Sequence, residues 1–70
     1  MNKTPLERAI EKAGGQTKLA RDIGTTQQGI YYWLKKNKVP AEFCPKIEEA
    51  TGISKHELRP DIFGTQSEDA

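Results

Sequence analysis

Between Gln16 and Lys35 the chain reads QTKLARDIGTTQQGIYYWLK, two short stretches of helical periodicity separated by a glycine, and no other segment constrains the fold as tightly. Leu19, Ala20 and Ile23 recur at helical spacing in the first stretch, as do Ile30, Trp33 and Leu34 in the second. Each helix therefore carries one apolar stripe, and the two stripes can share a core. Gly24 can take the positive φ that closes a tight interhelical turn, and Ala20 is small enough to let the partner helix approach. This layout predicts a helix-turn-helix.

The flanking sequence predicts more helices around that unit. Thr4 reads as an N-cap, with Pro5 at the first helical position, Glu7 closing a capping box and Gly14 after Ala13. Leu6, Ala9, Ile10 and Ala13 form the buried face of this first helix. The second runs from about Gln16 to Ile23 and the third from about Gln27 to Lys35, capped by Thr25 or Thr26. After the loop 37–40, Phe43, Cys44, Ile47 and Ala50 recur at helical spacing, so a fourth helix is expected between Ala41 and Thr51. Pro45 is tolerable there only if regular helix begins a turn or less before it. Ser54-Lys55-His56-Glu57 is a second capping box, predicting a short fifth helix from about Lys55 to Leu58 ended by Pro60. The fold class is thus all-α, a bundle of about five short helices. Ile53 and the Asp61-Ile62-Phe63 stretch leave a weaker α+β option for the last third. The expected organisation is one helix-turn-helix domain over residues 1–63 and a polar, acidic, disordered tail over residues 64–70.

With 70 residues, one small domain hides only about 60% of its unfolded surface, so no large substrate cavity is expected. No apolar run approaches the ~20 residues of a membrane span, and the first five residues lack the apolar stretch of a secretory signal. A cytoplasmic location in a bacterial host, associated with the nucleoid, is the expectation. Cys44 is the only cysteine, so neither an internal disulfide nor a cysteine metal cluster can form, and it reads as a small core residue. His56 is the only histidine and has no nearby nucleophile or ligand set in sequence, so no catalytic residue, metal, cofactor or small-molecule substrate is expected.

The formal net charge is +1, but it is unevenly spread. Lys18, Arg21, Lys35, Lys36 and Lys38 face only Asp22 between Gln16 and Lys38, a net +4. From Ala41 onward, Lys46, Lys55 and Arg59 are outweighed by Glu42, Glu48, Glu49, Glu57, Asp61, Glu68 and Asp69, a net −4. Such polarity orients a molecule approaching a phosphate backbone. On a helical wheel from Gln27, the core residues take one sector while Gln28, Tyr31, Tyr32 and Lys35 take the other. Two adjacent tyrosines cannot both point to the core beside Trp33. Glutamine can bond adenine bidentately, tyrosine can donate to phosphate or base edges, and lysine can reach phosphate or guanine. Gln28, Tyr31 and Tyr32 are therefore candidates to touch bases, and Lys35, Lys36 and Lys38 to touch phosphate. The residues have plainer readings as well: Gln28 can close a capping box from Thr25, one tyrosine can cover the core edge, and the lysines can be a solvated run.

Gln16-Thr17-Lys18, Ala20, Asp22, Gly24, Gln27 and Ile30 resemble the helix-turn-helix of phage lambda-type Cro repressors, a lambda-repressor-like fold. The resemblance implies that Gln16 meets phosphate and braces Gln27, which is set on a base, with Thr17 and Lys18 beside the same backbone. It also implies that Gln28, Tyr31 and Tyr32 occupy the other base-facing positions. Tyrosine at the last two departs from the lambda protein's small polar and basic residues, so an operator sequence does not carry over. From Val39-Pro40-Ala41 to Glu57-Leu58-Arg59-Pro60-Asp61 the chain is similar to prophage Cro-like and YdaS-type antitoxin regulators.

The expected function is a sequence-specific repressor of double-stranded DNA. A single recognition helix covers few base pairs, so a homodimer on a palindromic operator is expected, its helices about 34 Å apart. Ile53, Leu58, Ile62 and Phe63 are candidates for the dimer interface, with closure of the core as their plainer role. The alternative is an antitoxin-like regulator that binds a partner protein and autoregulates through the same helices.

Overall fold

Thr4 starts the first helix by the reciprocal bonding that its sequence predicts: its hydroxyl accepts from the Glu7 amide at 3.2 Å, and the Glu7 carboxylate accepts from the Thr4 amide at 2.9 Å. This helix, α1 (Pro5–Ala13), stops at Gly14. In the computed structural model, which describes residues 3–64, it is followed by α2 (Gln16–Ile23), α3 (Gln27–Lys36), a 3-10 turn (Ala41–Phe43), α4 (Cys44–Thr51), α5 (Lys55–Leu58) and α6 (Pro60–Phe63). There is no strand among the described residues, and the α+β option is set aside.

The α2–α3 turn follows from two local devices. Gly24 sits at φ +82° and its amide donates to Ala20 at 2.9 Å, which closes α2. Thr26, two residues on, caps α3 by accepting from the Gly29 amide at 3.1 Å. At the other end Asn37 takes a left-handed conformation, φ +55°, and Lys38 donates back to Trp33 at 3.1 Å.

The core lies beneath the two helices. Leu6 and Ala9 of α1, Leu19, Ala20 and Ile23 of α2, Ile30 and Trp33 of α3, Val39, Cys44 and Ile47 of α4 and its lead-in, and Ile53 are buried together. Burying a side chain such as Ile30 or Ile47 contributes roughly 1.5–3 kcal/mol. Trp33 and Phe43 meet with ring centres 5.0 Å apart, which joins α3 to the segment that follows it. Burial pushes the Cys44 thiol above its ordinary range, and its Sγ lies 3.5 Å from the Pro40 carbonyl.

Several expectations change. The helix expected over Ala41 to Thr51 splits, because regular helix begins only at Cys44, so Pro45 falls in the first turn where no intrahelical amide bond is lost. Ala50 is exposed, leaving Cys44 and Ile47 as that helix's buried residues. Pro60 does end α5, but it also opens α6, since a proline suits a first helical position. Ile53 is 3% exposed in the core, so it has no surface to offer a second copy. Leu58 and Phe63 are half-buried against the core, and Ile62 remains 48% exposed. Gly64 is held as the end of α6, its amide on Pro60 and its carbonyl accepting from His56 Nδ1 at 3.0 Å. The rest of the expected tail, residues 65–70, lies outside the described residues. Among the described residues no helix is long and apolar enough to cross a membrane.

Candidate nucleic-acid interface

Helix α3 is the element that sets the candidate surface. Its Ile30 and Trp33 are drawn into the core, and a helix so pinned must turn its other face to solvent. Gln27, Gln28, Lys35 and Lys36 are exposed there, with Tyr31 at 55% and Tyr32 at 56% exposure. Neither tyrosine covers the core. Gln28, Gly29, Tyr31, Tyr32, Lys35 and Lys36 line one continuous shallow groove.

The capping role considered for Gln28 is also removed. Because Thr26 rather than Thr25 is the cap, the residue three positions on is Gly29, and Gln28 has no part in the cap. Gly29 itself is fitted to its site: a Cβ there would stand 3.1 Å from the Thr25 hydroxyl and 3.4 Å from that of Thr26. The Lys36 ammonium lies 5.1 Å from the centre of the Tyr32 ring, a cation–π contact that orients both side chains.

Helix α2 contributes its first turn. Gly15 precedes it without a side-chain cap, so the leading amides beside Gln16 and Thr17 keep their donors for an outside acceptor. Gln16 is half-buried, while Thr17 and Lys18 are exposed. Lys18 pairs with Asp22 at 3.3 Å, and at 54% exposure of its side chain this bridge is readily exchanged for another anion. Lys38 is exposed just past the end of α3. The structure thus brings ten of the sequence-nominated residues onto α2, α3 and the loop after it.

The C-terminal candidates Leu58, Ile62 and Phe63 belong to α5 and α6. His56 donates to Gly64 and its ring meets Phe63 edge-on at 6.4 Å, which engages it in holding the end of α6.

One residue was not among the candidates the sequence nominated. Arg59 reaches back twenty positions, donating from Nη1 to the Val39 carbonyl at 2.7 Å, and grips Asp61 through Nε at 3.0 Å and Nη2 at 2.7 Å. The bond to Asp61 raises the Arg59 pKa and, in return, holds the Asp61 carboxyl below the usual carboxylate range. Arg59 lines a second recess with Tyr32, Trp33, Lys36, Lys38 and Pro40. A lone arginine before a proline carries no periodic signal, and only the long-range bond to Val39 reveals what it touches.

Comparison with known proteins identifies relatives of the chain and of its fold. The family described as "Bacterial toxin YdaS" matches residues 6–67. The "Putative transcriptional regulator YdaS" of Escherichia coli strain K12 is 41% identical over 60 residues, 81% of this chain, which spans 61% of that relative's length. The "Gene 30 protein" of Enterobacteria phage phi80 is 42% identical over 62 residues, 86% of this chain and 85% of its own. Among solved structures, the "Cro protein from putative prophage element Xfaso 1 in Xylella fastidiosa strain Ann-1" superposes with a TM-score of 0.86 at 38% identity. That match covers 90% of this chain and all, 100%, of the other.

Proposed function

The chain belongs to the YdaS family, and we propose that it is a transcription regulator that binds double-stranded DNA by inserting α3 into the major groove. The observation that carries this reading is the outward pair Tyr31 and Tyr32, flanked by Gln27, Gln28 and Lys35 on a helix whose opposite face is locked in the core. Exposed tyrosines forgo the gain of burying their rings until a partner covers them, and a row of amide, phenol and ammonium groups suits base edges and the phosphates beside them. In this reading Gln27 and Gln28 bond base edges, the tyrosines pack on bases or reach phosphate, and Gln16, Thr17, Lys18, Lys35, Lys36 and Lys38 neutralise the backbone. The names of the E. coli relative and of the Cro neighbour support it.

The finer proposal is a repressor that acts as a homodimer in the bacterial cytoplasm, blocking a promoter sterically from a palindromic site. Leu58, Ile62 and Phe63 are the surface available for the second copy, since Ile53 is committed to the core. Selection of bound duplexes from random sequence tests both levels. Enrichment of a symmetric site with half-sites about one helical turn apart supports the dimer. A single unpaired half-site refutes the dimer, and no enrichment at low salt refutes DNA reading itself.

A second reading has one observation in its favour, the family's description as a toxin. It makes this chain one member of a protein pair that autoregulates through the same helices, its partner a basic protein meeting the acidic C-terminal half. A complex with a neighbouring gene product in pull-downs from the host supports it, and a chain recovered alone refutes it.

A further inference from the structure

The recess behind the reading helix has a volume of about 220 Å³, ample for a phosphate group, and is lined by Tyr32, Trp33, Lys36, Lys38, Pro40 and Arg59. Three of these are cations and none is acidic, although aromatic rings, the proline and aliphatic stems supply most of the lining, so the charged groups stand at its rim. They come from three parts of the chain: α3, the loop after it, and the junction of α5 and α6.

Arg59 is the ordered member. Its side chain is only 12% exposed, and its three bonds to Asp61 and Val39 fix the plane of the guanidinium. A guanidinium carries five N–H donors, so two remain beyond those bonds among the described residues. Little conformational freedom is left to lose when an anion meets them. Asp61 offsets one positive charge from outside the recess, at 60% side-chain exposure, and two are left over.

The recess adjoins the reading groove, with Tyr32 and Lys36 lining both. A helix lying in the major groove, about 12 Å wide, is bordered by phosphate strands on both sides. Residues one step off the helix face meet those strands.

We propose that this recess seats a phosphodiester of the DNA backbone, with Arg59 as its preordered donor and Lys36 and Lys38 closing on it. The inference rests on the reading that α3 enters the major groove, and it extends the DNA-contacting surface into the C-terminal half. The same anion chemistry is offered by free inorganic phosphate, and the experiment separates the two sources.

The test measures affinity of the full chain for a duplex of arbitrary sequence over a range of salt. Arg59→Gln is expected to bind several-fold more weakly and to flatten the slope of log affinity against log salt by about 0.9, the loss of one phosphate contact. Arg59→Lys is expected to keep the slope, since charge survives. If Arg59 serves only to fasten the Val39 loop through its fork, Arg59→Lys fails as Arg59→Gln does, because an ammonium cannot copy the fork. That result, or an unchanged slope in a folded Arg59→Gln, overturns the proposal and leaves DNA reading intact. Should Arg59→Gln lose its helical circular dichroism, the exposed Lys36→Gln takes its place, with the same flattening expected and its absence equally fatal. No duplex binding by the unaltered chain overturns both readings. In that case emission of Trp33, the sole tryptophan, titrated with inorganic phosphate against chloride at matched ionic strength, reassigns the recess to the free anion if it responds.

Discussion

The two halves of this molecule are built by different means. From Gln16 to Lys36, two helices of eight and ten residues are stopped by left-handed caps at Gly24 and Asn37 and anchored by five buried side chains. From Lys55 to Phe63, two helices of four residues have no fully buried side chain of their own. They are fastened by bonds: Glu57 to Arg8 of α1 at 2.8 Å, Arg59 to Val39, and His56 to Gly64. The first half is held by full burial, the second by tethering bonds together with the half-buried Leu58 and Phe63. A surface that reads shape needs the former, while a surface that changes partners can be built from the latter.

The sharpest way to break this contrast is to cut equivalent aliphatic mass from each half. Ile30→Ala removes a fully buried side chain and should cost about 2–5 kcal/mol in thermal or urea unfolding. Ile62→Ala, at 48% exposure, should cost about 0.5 kcal/mol or less. Equal losses would mean that the C-terminal helices are part of one core after all.

Next in size is Gln27→Ala. On the selected operator it should weaken binding by about 1–3 kcal/mol while affinity for arbitrary duplex stays nearly unchanged, as titrations of both DNAs would reveal. Equal losses on the two would remove Gln27 from base reading.

Thr26→Ala deletes the hydroxyl that accepts from Gly29, at a cost of about 0.5–2 kcal/mol in unfolding. Thr25→Ala should cost less, since Thr26 alone serves as the cap, and the pair of melts decides which threonine governs α3.

This difference in construction also explains what the sequence disclosed. The bounds of α1, α2 and α5 agree with expectation because each is set within a few residues, by Thr4, Pro5 and Glu7, by Gly24, or by Ser54. The outward tyrosines of α3 were legible from the wheel, because Ile30 and Trp33 leave the opposite sector no other direction. The 3-10 lead-in to α4 was foreshadowed by Pro45 but not located by it. Ile53 could not be assigned from spacing, since it lies between helices and its burial depends on how α4 and α5 fold back. Arg59 was invisible for the same reason: its partner Val39 lies twenty residues away, and nothing local marks the bond.

The smallest effect concerns the tethers and pH. The folded Asp61 carboxyl titrates below its ordinary value because Arg59 donates to it. The pair's stabilisation is therefore fully present above the unfolded carboxylate pKa of about 3.9 and is lost as pH falls from there through the lowered folded value. Asp61→Asn should melt slightly lower than the unaltered chain at about pH 6, and the gap should narrow steadily as pH falls below about 3.9. A gap that persists in acid would mean that the carboxylate's charge is not what holds Arg59.

Cys44, the only thiol in the chain, is 0% exposed at the point where α4 meets the underside of α3's connection. An alkylating reagent in solution has no route to that sulfur until the globule parts around it. The speed at which the label is taken up therefore clocks how often the interior opens, and under the proposed function a duplex bound along α3 should slow that clock without ever touching the sulfur.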